Sequence, residues 1–247
     1  MSGRTSAEEA YLAAPLPAAS TPWRNAAYSV MDLELTGLDP SVHEIVSFAT
    51  VTVAGGRVRL DDSLHRIVQP RRMPDPETIR IHGLRESDLA AAPPLERVLD
   101  DLLAALAGRV LVAHGAEVET GFLRPLLESR GVDLRNPVID TAALGLELWR
   151  LRRRPPLRLA GEESAAAAVS SPGLSELARA LGLPAHRPHH ADGDALTTAQ
   201  VFLALATHLE EFRPVTVGSL ERLSAPIREQ VAPPSAVRRL LTRLRRR

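Results

Sequence analysis

The stretch "SVMDLELTGLDP", residues 29–40, decides the fold and raises the functional question with it. It has the apolar content of a buried strand, yet Asp32, Glu34 and Thr36 alternate along it. Residues two apart in a strand share a face, so these three point one way and Leu33 and Leu35 the other. An unpaired buried carboxylate is strongly destabilising or is driven to protonate. Two side by side repel unless a cation sits between them. Taken alone, the triplet fits equally well on an edge strand with a solvated face.

Working outward, three strand-like segments run together: "AAYSVMDLEL" near 26–35, "HEIVSFATVTV" near 43–53 and "GRVRLDDSLHRIV" near 56–68. Gly55-Gly56 fits a hairpin turn between the last two, so an antiparallel trio opens the fold. After the Pro-rich "QPRRMPDP" the period changes. Leu95, Val98, Leu99, Leu102, Leu103 and Leu106 recur at helical spacing, and Gly108 closes that helix. "RVLVAH" is a short strand ending at His114. Phe122, Leu123, Leu126 and Leu127 mark the next helix, "PVIDT" another strand, and "AALGLELWRL" a helix after it. "GLSELARALGL" and "DALTTAQVFLALATHLEEF" read as two further helices. Strands followed by alternating helices and strands predict an α/β fold, a mixed sheet flanked by helices.

Composition divides the rest. Residues 1–24, rich in Ala, Pro and Ser, read as a flexible leader ahead of a domain spanning 25–212. Residues 152–172 read as a loop insertion within it. The tail 213–247 ends in "SAVRRLLTRLRRR", where Val237, Leu240, Leu241 and Leu244 space a short amphipathic helix carrying six arginines. A solvated terminal helix accounts for it, as does a contact with nucleic acid, lipid headgroups or a partner such as a polymerase.

The formal net charge is zero, so attraction to nucleic acid must come from local patches. All 30 basic residues are Arg, which removes the Gly-Lys-Ser/Thr phosphate loop and any Schiff-base lysine. The absence of Cys removes disulfides, thiolate zinc sites and cysteine nucleophiles. No run of about 18 apolar residues exists to span a bilayer, and no signal peptide is evident. A cytoplasmic protein is expected.

Two further acids sit where apolar residues belong. Glu119 precedes Phe122 and Leu123 by three and four positions, on their inward stripe. Asp194 precedes Thr198, Val201 and Phe202 by four, seven and eight. Converging on Asp32 and Glu34, they would make one oxygen-donor site suited to hard divalent ions, Mg²⁺ or Mn²⁺. His189 lies about 140° around a helix from Asp194 and cannot share its face. On a loop ahead of the helix it could reach the same site. A loop that is simply His-rich, or an adventitious metal site, reads "HRPHH" as well.

These motifs in their order resemble those of the DnaQ-like 3′–5′ exonucleases, which include the epsilon proofreading subunit of bacterial DNA polymerase III and several ribonucleases. "DLELTGL" resembles the first motif. "RIHGLRESDLAAAPPLERVLDDLLAAL" resembles the Ile-His-Gly turn and the helix after it. "LVAHGAEVETGFL" resembles the second motif, "VIDTAALG" the strand after it, and "GLSELARALGL" with "HHADGDALTTAQVFL" the third. The resemblance runs from about Ala26 to Leu209 and implies a ribonuclease H-like sheet, its first three strands antiparallel and the rest parallel. It implies that Asp32, Glu34, Glu119 and Asp194 hold two Mg²⁺ or Mn²⁺ ions, with Asp32 and Glu34 at the reacting centre, and that His189 is the general base. It further implies that Thr36, Gly37, Leu38, Ile81 and His82, together with His114, seat the 3′-terminal nucleotide of a single strand. DNA is the expected substrate and RNA the alternative. Two positions depart from the family pattern: Gly115 replaces Asn and Glu119 replaces Asp. These departures are what favours the remaining alternative, a non-catalytic nucleic-acid-binding or scaffold relative. The intact set of other ligands with His189 opposes it, so a 3′–5′ exonuclease is the expected activity.

Overall fold

The computed structural model describes residues 4–152 and 171–230. Strands β1 (Ala27–Leu35), β2 (Ile45–Ala54) and β3 (Arg57–Ile67) form the antiparallel trio. Strands β4 (Val110–Ala113) and β5 (Val138–Asp140) join it in parallel, in the order β3-β2-β1-β4-β5. This is the mixed sheet expected for a ribonuclease H-like fold. Gly55 and Gly56 take φ of 60° and 69°, the left-handed pair that a two-residue hairpin demands.

The helices are α1 (Ser6–Ala13), α2 (Pro76–His82), α3 (Glu86–Ala91), α4 (Leu99–Leu106), α5 (Glu117–Glu128), α6 (Thr141–Leu151), α7 (Leu174–Ala180), α8 (Ala191–Glu210) and α9 (Val217–Gln230). They cover both faces of the sheet, which explains why β2 is buried almost throughout. Met31, Leu33 and Leu35 of β1 pack with Leu102 and Leu103 of α4 and Phe122 and Leu123 of α5. Tyr28 and Val30, on the opposite face, pack with α6 and with Ala195, Ala199 and Phe202 of α8. Asp32 and Glu34 continue the Tyr28–Val30 face, so they look toward α8. None of the helices among the described residues is long and apolar enough to cross a membrane.

Two boundaries differ from expectation. The stretch read as a flexible leader carries α1, started by a capping box in which the Thr5 hydroxyl accepts from the Glu8 N–H and the Glu8 carboxylate accepts from the Thr5 N–H. Buried Glu8 pairs with Arg130 at 3.0 Å, and buried Tyr11 donates its hydroxyl hydrogen to Asn136 Oδ1 at 2.6 Å. Ala/Pro/Ser composition hid these two anchors, along with the fully buried Trp23. At the other end the domain does not stop at 212. Val217 and Leu220 of α9 enter the core, and the Ser224 hydroxyl oxygen accepts from the Asp140 N–H, the last residue of β5. The Arg-rich segment around 237–244 lies outside the described residues, as does most of the insertion read at 152–172.

Helices α2 and α3 were not anticipated as separate elements. Asp75 caps α2, with Pro76 in its first turn, and Gly83 ends it in a left-handed turn at φ 71°.

Candidate active site

β1 carries Asp32 and Glu34 to the centre of the sheet, and the first turn of α8 brings Asp194 against them. One carboxylate oxygen from each of the three lies within 4.8 Å of the others. Ala191 and Ala195, both buried, let the start of α8 lie close to the sheet. Glu119, in the first turn of α5 just past the end of β4, is buried and stands outside this tight trio. Its charge nevertheless reaches Asp32 and is the largest of the three repelling charges there.

Among the described residues no guanidinium pairs with Asp32, Glu34, Glu119 or Asp194. Burial and mutual repulsion therefore act unopposed by a cation on most of the cluster. Burial, then the charges of Glu119, Glu34 and Asp194, hold the Asp32 carboxyl well above its usual range. Burial and Asp194 push Glu34 up to about 7, and burial, with Asp140 adding to it, pushes Glu119 up to about 8. Asp194 is also raised by burial, although the N–H of His189 draws it back. Glu119 Oε2 is buried with no hydrogen-bond partner. Four carboxylates, one with an orphaned oxygen, form a donor set that fits hard divalent cations.

His189 lies on the turn leading into α8, exposed, with φ 61°. Its backbone N–H donates to Asp194 Oδ2 at 2.7 Å. Arg187, two residues earlier, is also left-handed at φ 38° and pairs with Asp192 at 3.1 Å. The turn is wound so tightly over α8 that a Cβ at Gly193 would lie 2.2 Å from the His186 carbonyl oxygen.

The expected nucleotide-seating residues divide into two groups. Leu38 and Ile81 are 60% and 55% exposed, an unusual placement for apolar side chains with no core role. Gly37 gives room to the His43 ring, which a Cβ there would meet at 2.5 Å. Thr36 and His82 turn inward instead. The Thr36 hydroxyl accepts from the Glu44 N–H and bonds His43 Nδ1, while His82 Nδ1 accepts from the Leu84 N–H.

His114 corrects the expectation of a substrate contact. Nε2 meets the Pro172 carbonyl at 2.9 Å, and since a carbonyl only accepts, the proton is on Nε2. Nδ1 lies 2.9 Å from the Thr141 hydroxyl, which also contacts the Ala113 carbonyl, so both ring nitrogens are spent inside the fold.

Asp140 is an organiser that the sequence reading passed over. Its buried carboxylate accepts from the N–H groups of Gly115, Ala116 and Ala142, joining the start of α5 to the cap of α6. An Asp just before an apolar helical run is a start signal, so the clue was present in "VIDTAAL". Gly115 sits in this turn at φ 75°, a conformation that Gly and Asn adopt most readily. The departure from the family's Asn therefore keeps the backbone intact.

The fold and the carboxylate cluster define a class: a ribonuclease H-like α/β domain with a candidate divalent-metal centre. The chain belongs to the RNase_T family, described as Exonuclease, whose model matches residues 29–202. It is 31% identical over 204 residues to the PolC-type DNA polymerase III of Thermotoga maritima, covering 82% of this chain and 14% of that one. It is 30% identical over 205 residues to a DNA polymerase III subunit epsilon-like protein of Rhodobacter capsulatus, covering 82% and 27%. The chain thus spans only a minor part of these relatives' length. Among solved structures, E. coli Exonuclease I in complex with a dA16 oligonucleotide superposes with a TM-score of 0.62 at 14% identity, covering 79% of this chain and 42% of that one. Exonuclease X in complex with 5′ overhanging duplex DNA gives 0.54 at 20%, covering 78% and 99%. At these identities the likeness is one of fold.

Proposed function

We propose that this chain is a metal-dependent 3′–5′ exonuclease that removes nucleoside monophosphates from the 3′ end of DNA. The observation that carries the reading is the convergence of Asp32, Glu34 and Asp194 within 4.8 Å, near the buried Glu119 carboxylate, one of whose oxygens has no partner. Asp32, Glu34 and Asp194, with Glu119, would hold two ions, Mg²⁺ or Mn²⁺, which when bound supply Lewis-acid activation of water and charge stabilisation at the scissile phosphate.

The chain's own groups do the rest. His189, exposed on its turn, accepts the proton of the attacking water at a ring nitrogen. The hydrogen bond from its N–H to Asp194 keeps the base in register with the carboxylates. Leu38 and Ile81 offer apolar contact to the terminal nucleotide, and the His43 ring lies close against Gly37, the residue before Leu38. The names of the DNA polymerase III relatives support DNA over RNA and a partner in DNA synthesis, and the Arg-rich tail is the segment proposed to meet that partner.

The test is a parallel assay on 5′-labelled single-stranded DNA, duplex DNA and RNA with Mg²⁺ or Mn²⁺. Stepwise shortening from the 3′ end of single-stranded DNA, stopped by chelation, is the expected result. Faster shortening of RNA reassigns the substrate, and no monophosphate release from any of the three overturns the reading.

A further inference from the structure

Two loops beside the carboxylates are joined into one ledge. The Glu44 carboxylate accepts from the Arg71 and Arg72 N–H groups at 2.7 and 3.2 Å. The Glu44 backbone is in turn bonded twice to Thr36, through the Glu44 N–H to the Thr36 hydroxyl and the Thr36 N–H to the Glu44 carbonyl. The loop after β1 and the turn before α2 are thereby held together, and both border the start of the site. The far end of α2 closes the same side, because a Cβ placed on Gly83 would lie 3.8 Å from the ring of His190, the residue after His189.

This ledge exposes more apolar surface than Leu38 and Ile81. Val42 is 61% exposed and Met73 is 41% exposed, one on each of the joined loops. Neither packs against a core. The cations beside them are under-used as well. Arg71 has only loose carboxylate neighbours, Glu44 at 3.8 Å and Glu96 at 3.9 Å, and Arg72 makes no ion pair among the described residues. Clustered exposed apolar side chains mark binding surfaces. Single-stranded nucleic acid suits apolar platforms for bases alternating with cations for phosphates. In a chain with only 3% aromatic residues, aliphatic and thioether side chains are the platforms on offer.

We propose that Val42 and Met73, with Arg72, form a second nucleotide subsite that grips the strand behind its 3′-terminal residue. The proposal rests on the nuclease reading for its occupant. It requires that affinity grow with strand length, because only a strand longer than the terminal unit reaches the ledge.

The experiment measures binding apart from cleavage. Anisotropy of 5′-fluorescein oligothymidylates of two and eight nucleotides, with Ca²⁺ replacing Mg²⁺, gives a length-preference ratio for the full chain. Val42→Ala/Met73→Ala should lower that ratio about tenfold, the scale of two truncated apolar contacts. Arg72→Gln should reduce the slope of log affinity against log salt by about 0.7, one phosphate contact on a single strand. Leu60→Ala, exposed on β3 away from the ledge, should leave the ratio as it is. An unchanged ratio in the double variant overturns the subsite, as does a wild type with no length preference. Length-dependent binding without any metal-dependent cleavage would instead sink the catalytic reading and leave the subsite standing.

Discussion

The backbone N–H of His189 donates a 2.7 Å hydrogen bond to Asp194 Oδ2, so the candidate base and a candidate metal ligand share one turn. Five residues apart, they could not share a helix face. Left-handed conformations at Arg187 and His189 turn the chain back over the start of α8 and bring them together.

Asp194→Asn keeps an oxygen to accept that bond but removes a charge. Cleavage should fall by about 10²–10³-fold, the scale of losing one electrostatic element of an active site. The melting temperature should hold or rise, because Asp32 and Glu34 lose a repelling neighbour. Initial rates and thermal melts on the same preparation check both halves. Asp32→Asn should behave alike.

Raised carboxyl pKa values make the metal-free protein sensitive to alkali. Glu34 moves from 4.5 to about 7 and Glu119 from 4.5 to about 8, so the folded state holds protons that the unfolded state has released. Stability from these groups is therefore full below 4.5 and falls as pH rises toward about 8. Thermal melts in chelator should decline across that window, Glu119→Gln should flatten the decline, and Mn²⁺ added at the alkaline end should restore the loss. A melting temperature that rises with pH there would contradict the assignment.

Gly193→Ala puts a methyl group 2.2 Å from the His186 carbonyl oxygen, a backbone atom that cannot swing aside. The His186–His190 turn must lift. A stability loss of about 1–3 kcal/mol is expected, as for overpacked sites. Activity should fall further than stability alone explains, because His189 moves with the turn. Denaturant titration beside kinetics separates the two effects.

Gly115→Asn tests the departure from the family pattern. A Cβ there meets nothing within 4 Å, and Asn tolerates the left-handed turn. Melting should be close to that of wild type, whereas Gly115→Val should lose about 1–2 kcal/mol. Calorimetry on the pair of variants decides it.

Much of this molecule is written in local pattern. Alternation in "SVMDLELTG" set which face of β1 carries Asp32 and Glu34, and helical spacing set the inward stripe of Asp194, since both periods follow from backbone geometry. Gly55-Gly56 announced the hairpin by the φ it needs. What eluded the sequence depends on distant partners. Glu8 and Tyr11 are anchored by Arg130 and Asn136, more than 120 residues away, so α1 looked like a loose leader. Ser224 completes β5 from a helix that composition assigned to a tail. His114 resembled a site residue until Thr141 and the Pro172 carbonyl took both of its ring nitrogens. By itself the sequence determined the strands, the helix faces and which acids stand where apolar residues belong. Only the tertiary structure decided which side chains meet, because pairing across the chain is fixed by packing and hydrogen-bond satisfaction rather than by local spacing.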